Sequence, residues 1–307
     1  MHNNSNPTHD ILYRPGRTED WPQVAPIVEQ TWGGEDYITE TLWQHWAEER
    51  TGRLVVAERD GQVIGLAKIT RLGPAEWWLE GLRVAPEHRR QGIAHGLTAH
   101  LIEWFEKYGD GMLRLALFSE NEASKKLAYA FGMRHTASYR KMVAPAKAGD
   151  YRNFRLLQPQ NIDMIDRYLR RSPMYRVNRF VELDWTLYYL TSDRLASYLQ
   201  SDYVQVLGWR QFGELHGLAI VFLRSLDARL SYDENSLQIG AVYAPDDTTL
   251  QAMLRALRGL AAYRGHEVAA WKMPVGVGLE RVTQYAGFEP EWDDDAALWL
   301  FERPLRL

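Results

Sequence analysis

Leu82-Arg83-Val84-Ala85-Pro86-Glu87-His88-Arg89-Arg90-Gln91-Gly92-Ile93-Ala94-His95-Gly96-Leu97 is the stretch on which the fold turns. Trp77 to Val84 reads as a strand, Pro86 ends it, and Gln91 to Tyr108 reads as a long amphipathic helix. Its Ile93, Leu97, Leu101, Trp104 and Phe105 share one face at helical spacing. A strand, a tight turn and then a helix leave several first-turn N–H groups without carbonyl partners, and the helix dipole adds partial positive charge there. Such an end suits a pyrophosphate. Small residues at Gly92 and Ala94 let phosphates come close to the backbone, and Arg89 and Arg90 can add charge-assisted hydrogen bonds. Alone, R-x-x-G-x-A recurs by chance at helix starts. The proline-ended strand before it and the apolar helix after it give it meaning.

Around this junction the order of elements is plain. A short strand near Ile11 to Arg14 leads to a helix from Asp20 to Trp32, and a second helix follows from Thr39 to Arg50. Arg53 to Glu58 and Gln62 to Leu72 are strands joined at Asp60-Gly61, a pair that tolerates the positive φ of a tight hairpin turn. Beyond the long helix come a strand at Leu113 to Phe118, a helix at Glu122 to Phe131 and a strand at Thr136 to Val143. Val143-Ala-Pro-Ala-Lys-Ala-Gly-Asp150 is small and turn-rich, and reads as a linker. The same order then returns: strand near Phe154, helices at Ile162 to Arg171 and Ser192 to Gln200, and a hairpin about Gln211-Phe212-Gly213. A strand at Leu237 to Tyr243, a helix at Leu250 to Tyr263, a strand at Val268 to Met273, a helix at Leu279 to Tyr285 and Leu298 to Phe301 complete it. Ala85-Pro86 answers Ala244-Pro245, and Gly132-Met133 answers Gly287-Phe288, as in a duplicated domain. In that alignment Thr248, Gln251 and Met253 replace Arg89, Gly92 and Ala94, so the second copy lacks the phosphate cradle.

At Arg89, Gly92 and Ala94 the chain resembles the GNAT acetyltransferase superfamily, whose cofactor motif Q/R-x-x-G-x-G/A opens the helix after its fourth strand. A second signature, N-x-x-A-x-x-L-Y-x-x-x-G-F, is met in register by Asn121, Leu127 and Gly132, while Ser124 and Met133 depart from it. The resemblance spans about residues 11 to 143 and, more weakly, 152 to 304. It implies an α+β protein of two GNAT-like domains, each a mixed, mostly antiparallel twisted sheet flanked by helices. Residues 1–10 are expected to be a flexible tail, 11–145 the acetyl-CoA-binding domain, and 151–307 a degenerate copy. It implies acetyl-CoA as cosubstrate, with its phosphates on the amides of the loop formed by Arg89, Arg90, Gln91, Gly92, Ile93 and Ala94, and with Asn121 in the second signature. The pantetheine arm would run between splayed strands at Trp78 to Val84 and Leu113 to Phe118. Backbone groups of Leu82 and Val84 would pair with it and polarise the acetyl carbonyl. An amine then attacks the thioester directly.

An alkyl amine must lose a proton before it can attack. By strand period two, Glu80 is expected to share a face with Trp78, Leu82 and Val84, near the thioester. That makes it the candidate base, with Glu76 second; a solvated or salt-bridged carboxylate is the competing account. The family often uses a Tyr at the eighth position of the second signature as proton donor. Here that position is Ala128, and Tyr129, one step on, is the candidate acid, with packing as its alternative.

Composition narrows the rest. The 307 residues allow two domains, and 36 basic against 40 acidic side chains, net −4, argue for neither nucleic acid nor an anionic membrane as partner. Without cysteine, disulfides, thiolate metal sites and cysteine nucleophiles are excluded. With no leader pattern and no long apolar run, a cytoplasmic, membrane-free monomer or homodimer is expected. His95 and His100 are badly spaced for a shared metal. Asp293-Asp294-Asp295 reads as a solvated turn, with attraction of a cationic substrate as its alternative, and Trp77, Trp78 and Trp209 read as packing or as lining of an acceptor pocket. Two function classes follow: an N-acetyltransferase acting on a small primary amine, or an idle acyl-CoA-binding module.

Overall fold

The computed structural model describes residues 11–31, 36–223, 235–292 and 297–305. In the first half, strands β1 (Leu12–Pro15), β2 (Arg53–Arg59), β3 (Gln62–Gly73), β4 (Glu76–Val84), β5 (Met112–Phe118) and β6 (Arg134–Pro145) alternate with helices α1 (Trp21–Glu29), α2 (Glu40–Glu48), α3 (Ile93–Tyr108) and α4 (Glu122–Ala130). In the second half come β7 (Phe154–Leu156), α5 (Ile162–Arg171), α6 (Pro173–Val177), β8 (Phe180–Leu183), β9 (Thr186–Tyr189), α7 (Ser192–Leu199), β10 (Val204–Gln211) and β11 (Glu214–Phe222). They are followed by β12 (Ser236–Tyr243), α8 (Asp247–Tyr263), β13 (Val268–Pro274), α9 (Glu280–Tyr285), β14 (Glu289–Pro290) and β15 (Leu298–Pro304). The fold is α+β with a mostly antiparallel sheet arrangement, as the sequence implied. No helix among the described residues is long and apolar enough to cross a membrane.

Two compact units emerge. The first lies within residues 1–115, 126–134 and 301–307, and the second within 116–125 and 135–300. The first unit runs β1-β2-β3-β4-β5, with β15 next to β5. The β1–β4 pairings are antiparallel, and β4–β5 is parallel. One face is packed by α3 through Ile93, Leu97, Leu101 and Phe105; a Cβ on Gly65 of β3 would stand 3.2 Å from both Ile93 and Leu97, so helix and sheet meet closely there. The other face is packed by α1 and α2 through Val24, Leu42, Trp43 and Trp46. The Asp60-Gly61 turn takes positive φ at both residues, as expected of it.

The second unit runs β7-β10-β11-β12-β13-β6. It repeats the strand–strand–helix–strand order of the first in β11, β12, α8 and β13, and again the pair that brackets the long helix, β12 and β13, is parallel. Helix α8 buries Leu250, Met253, Leu254 and Leu257 against one face, while α5 and α7 bury Ile165, Leu169 and Leu195 against the other. Compactness divides the chain elsewhere than the sequence linker does, because β6 precedes the linker yet registers with β13 from Tyr139↔Pro274 to Pro145↔Val268. Sequence reading missed α6 and the β8–β9 hairpin altogether. The hairpin turn is Asp184-Trp185, which carries no Gly or Asn to announce it, although both residues adopt positive φ.

Candidate functional site

Helix α3 begins at Ile93, two residues later than its apolar pattern suggested, because Gly92 is its N-cap and sits at φ +81°. Arg90 is also left-handed, at φ +61°. These two reversals turn the chain sharply off β4, and only the glycine does so without strain. Gly96 N–H is the first helical donor to reach a carbonyl, that of Gly92 at 2.9 Å. The amides of Ile93, Ala94 and His95 have no carbonyl four residues back within the helix and point along its axis. A Cβ at Gly92 would meet nothing within 4 Å, so the space before this helix end is open. Arg89 and Arg90 are exposed beside it. Arg89 Nε donates to Val84 O at 3.1 Å, and Gln91 is held by Arg59 Nη1 at 2.9 Å and by its own bond to Glu87 O at 3.2 Å. Ile93 offers only its backbone, since its side chain is core. Free amides, two guanidinium groups and open space fit a diphosphate.

The β4–β5 ladder stops at Trp78↔Arg114, although β4 runs on to Val84. Within that stretch β4 bulges. Lys68 pairs with Glu80 and Leu66 with Arg83, so two steps on β3 answer three on β4. Gly81 takes the bulge at φ +67°, where a Cβ would also stand 2.9 Å from the Trp46 ring. The extra residue corrects the period-two expectation for Glu80. Its side chain shares a face with Lys68, Leu66 and Arg83, on the α2 side, and not with Leu82 and Val84. Gly81→Ala is expected to cost about 1–3 kcal/mol through left-handed strain and the Trp46 contact, read as a lowered denaturation midpoint with an unchanged m-value.

On that face Glu80 belongs to a chain of hydrogen bonds. Thr70 Oγ1 donates to Glu80 Oε1, Lys68 Nζ donates to Thr70 Oγ1 at 2.8 Å, and Lys68 also pairs with Glu49 Oε2. Lys68 is fully buried, 5.8 Å from the centre of the Trp46 ring. Tyr37 closes the other side. Its hydroxyl accepts from Gly81 N–H at 3.1 Å, and its ring lies 5.5 Å from the Arg83 guanidinium, which holds Asp36 at 2.6 and 3.0 Å. Burial pushes the Tyr37 phenol up, and the nearby Glu80 charge adds to that, so the hydroxyl stays neutral. The sequence reading missed Lys68, Thr70 and Tyr37. The one available signal was a lysine inside the apolar run Val63 to Ile69.

The remaining candidates separate. Asn121 caps α4, its Oδ1 accepting from Ser124 N–H at 3.0 Å. Ala128 is buried, whereas Tyr129 is 52 % exposed and sets its ring edge-on to Phe301 at 5.2 Å. Glu76 is buried and faces Arg114 at 3.5 Å. Trp77, Trp78 and Trp209 are buried core side chains. Asp293 to Asp295 lie outside the described residues. Among the described residues no three His, Asp or Glu side chains converge on a metal position.

The second unit repeats the bulge without the chemistry. Ile220 pairs with Ala241 and Val221 with Ile239, so Gly240 takes the place of Gly81 and Ile239 that of Glu80. Val181 and Glu182 of β8 crowd Gly240, and Met174 Sδ accepts from Ala244 N–H at 3.2 Å. At the start of α8 the Asp246 carboxylate occupies the N-cap, bonded to Thr249 N–H at 2.7 Å. A diphosphate would meet that negative charge, and Met253 is buried where Ala94 has its counterpart.

Residues 17–133 match the family described as Acetyltransferase (GNAT) family. Histidine N-acetyltransferase of Scomber australasicus is 34 % identical over 77 residues, which are 25 % of this chain and 23 % of that protein. The chain thus matches about a quarter of that relative's length. A GCN5-related N-acetyltransferase from Sphaerobacter thermophilus superposes over 97 % of this chain and 96 % of its own, with TM-score 0.66 and 15 % identity. A tandem GNAT protein from the clavulanic acid biosynthesis pathway superposes over 97 % and 99 %, with TM-score 0.60 and 12 % identity. At such identities the two structures speak for the fold.

Proposed function

We propose that this chain, whose residues 17–133 match the Acetyltransferase (GNAT) family, is an N-acetyltransferase that moves an acetyl group from acetyl-CoA to the primary amine of a small molecule. The carrying observation is the Glu80 carboxylate, fixed by Thr70 and Lys68 beside the bulge at which β4 outruns its ladder with β5. Acetyl-CoA supplies the activated acetyl group. The first-turn amides of α3, with Arg89 and Arg90, hold its diphosphate; Gln91 braces the loop, and backbone groups of Leu82 and Val84 receive the arm. Glu80 takes one proton from the acceptor ammonium, the freed amine nitrogen bonds to the thioester carbon, and the carbon–sulfur bond breaks as the nitrogen gives its second proton to water. The departing thiolate takes a proton from Tyr129, the proposed donor, whose exposed hydroxyl reloads from water. A cytoplasmic address goes with this chemistry. The partial match to a histidine N-acetyltransferase makes histidine the first acceptor to try. A screen of amines with acetyl-CoA, following released thiol, tests the proposal, and the cysteine-free chain adds no background. Binding of coenzyme A with no thiol release for any amine would favour the idle module instead.

The duplicated second half is assigned no cofactor. Calorimetry with coenzyme A should give one site per chain; two equivalent sites would overturn this assignment. Arg89→Ala should weaken that site about tenfold, the worth of one exposed charge-assisted contact.

A further inference from the structure

Three aromatic rings and an unpaired carboxylate gather in the second unit, at the tip of the β8–β9 hairpin. Trp185 stacks on Trp292 with ring centres 5.4 Å apart and planes at 28°. Phe118 meets Trp292 edge-on at 5.3 Å and Trp185 at 6.3 Å. Trp185 is 42 % exposed, so the large apolar ring faces solvent. It is held there against backbone preference: Asp184 and Trp185 sit at φ +48° and +69°, a conformation that costs a tryptophan strain. The hydrogen bond from Trp185 N–H to Glu182 Oε1, 2.8 Å, keeps the turn in place.

Charge in the cluster is unbalanced. Lys272 is buried and pairs with Glu182 at 2.6 Å, which accounts for both. Asp184 makes no hydrogen bond or ion pair to the described residues. Burial pushes its carboxyl up to about 6, Lys272 opposing and Glu182 adding, so it is charged at neutral pH. A half-buried carboxylate on the residue before a part-exposed, stacked indole is a combination that attracts an organic cation, by charge and by the ring quadrupole. Stacked, near-parallel indoles favour a flat cation over a spherical one, because a planar guanidinium or imidazolium can lie against a ring face. Lys272 Nζ, 5.6 Å from the Trp185 ring centre, shows that this indole already has a cation at one side.

We propose that Asp184, Trp185 and Trp292 form, within the second unit, a binding site for a planar organic cation of the guanidinium or imidazolium class.

Calorimetry on the full chain with methylguanidinium, and with methylammonium as a compact cation for comparison, reads the site. Wild type should bind methylguanidinium at least tenfold more tightly than methylammonium, and Asp184→Asn should weaken methylguanidinium at least tenfold. Asparagine tolerates the left-handed turn, and Asp184→Gly, which relieves it, should behave alike; neither variant is expected to fail by misfolding. No binding of methylguanidinium by wild type, equal affinity for methylammonium, or binding that survives both variants overturns the proposal.

Discussion

Glu80→Gln should lower kcat/KM for the acceptor by about 10²–10⁴-fold, the usual contribution of a positioned base. The substitution keeps the shape of the side chain and its ability to accept from Thr70 Oγ1. It removes only basicity, so coenzyme A affinity should stay at its wild-type value. The signature is in the pH profile: wild type should show a limb on which rate rises with pH, and Glu80→Gln should lack it or follow only the amine's own titration. Thr70→Val supplies a finer test. It removes the hydroxyl between Lys68 and Glu80, so the limb should move while the base survives. A Glu80→Gln enzyme that turns over like wild type at every pH would move the base elsewhere, to Glu76 or to water.

Lys68→Met is expected to cost about 3 kcal/mol of stability, the lower end for breaking a buried ion pair. Lys68 is wholly enclosed and neutralises Glu49, whose side chain is 15 % exposed. Methionine fills a similar space, so packing changes little. What changes is that Glu49 keeps its charge without a partner, and only its partial exposure and the Thr51 hydroxyl, 2.6 Å away, soften the loss. Urea unfolding should show a lower midpoint with the same m-value. Lys68→Met combined with Glu49→Leu should recover most of the loss, because an apolar pair of similar volume carries no desolvation cost. A double variant as unstable as the single one would show that Lys68 acts through Thr70 and Glu80 rather than Glu49.

Much was legible in the chain order. Wherever the decisive interactions are local, reading and structure agree: the Asp60-Gly61 turn, the glycine before α3, the alternation of β2 and β3, and the repeated Ala-Pro landmarks. Each depends on the backbone preference of one or two residues or on a periodicity within a dozen, and such preferences are carried by the sequence itself. The face of Glu80 was not legible. A single bulge at Gly81 reverses side-chain alternation, and the bulge exists only because β3 and β4 pair in one register. The closing strands were not legible either. Strand β6 pairs with β13 and not with its own half's β5, and β15 returns from the end of the chain to lie beside β5, a choice among edges that look alike to local patterning.

By itself, then, the sequence determined most of the strands and helices, the glycine turn that opens α3, and the lack of Arg-x-x-Gly-x-Ala at the matching place in the second half. Tertiary structure alone decided which strand edges meet, that Thr70 links Lys68 to Glu80, and that Asp184 has no hydrogen bond or ion pair among the described residues. The physical reason is range. Torsional preference and hydrophobic period act between neighbours, whereas a buried lysine finds its carboxylate, and a sheet its last strand, only through the free energy of the assembled core.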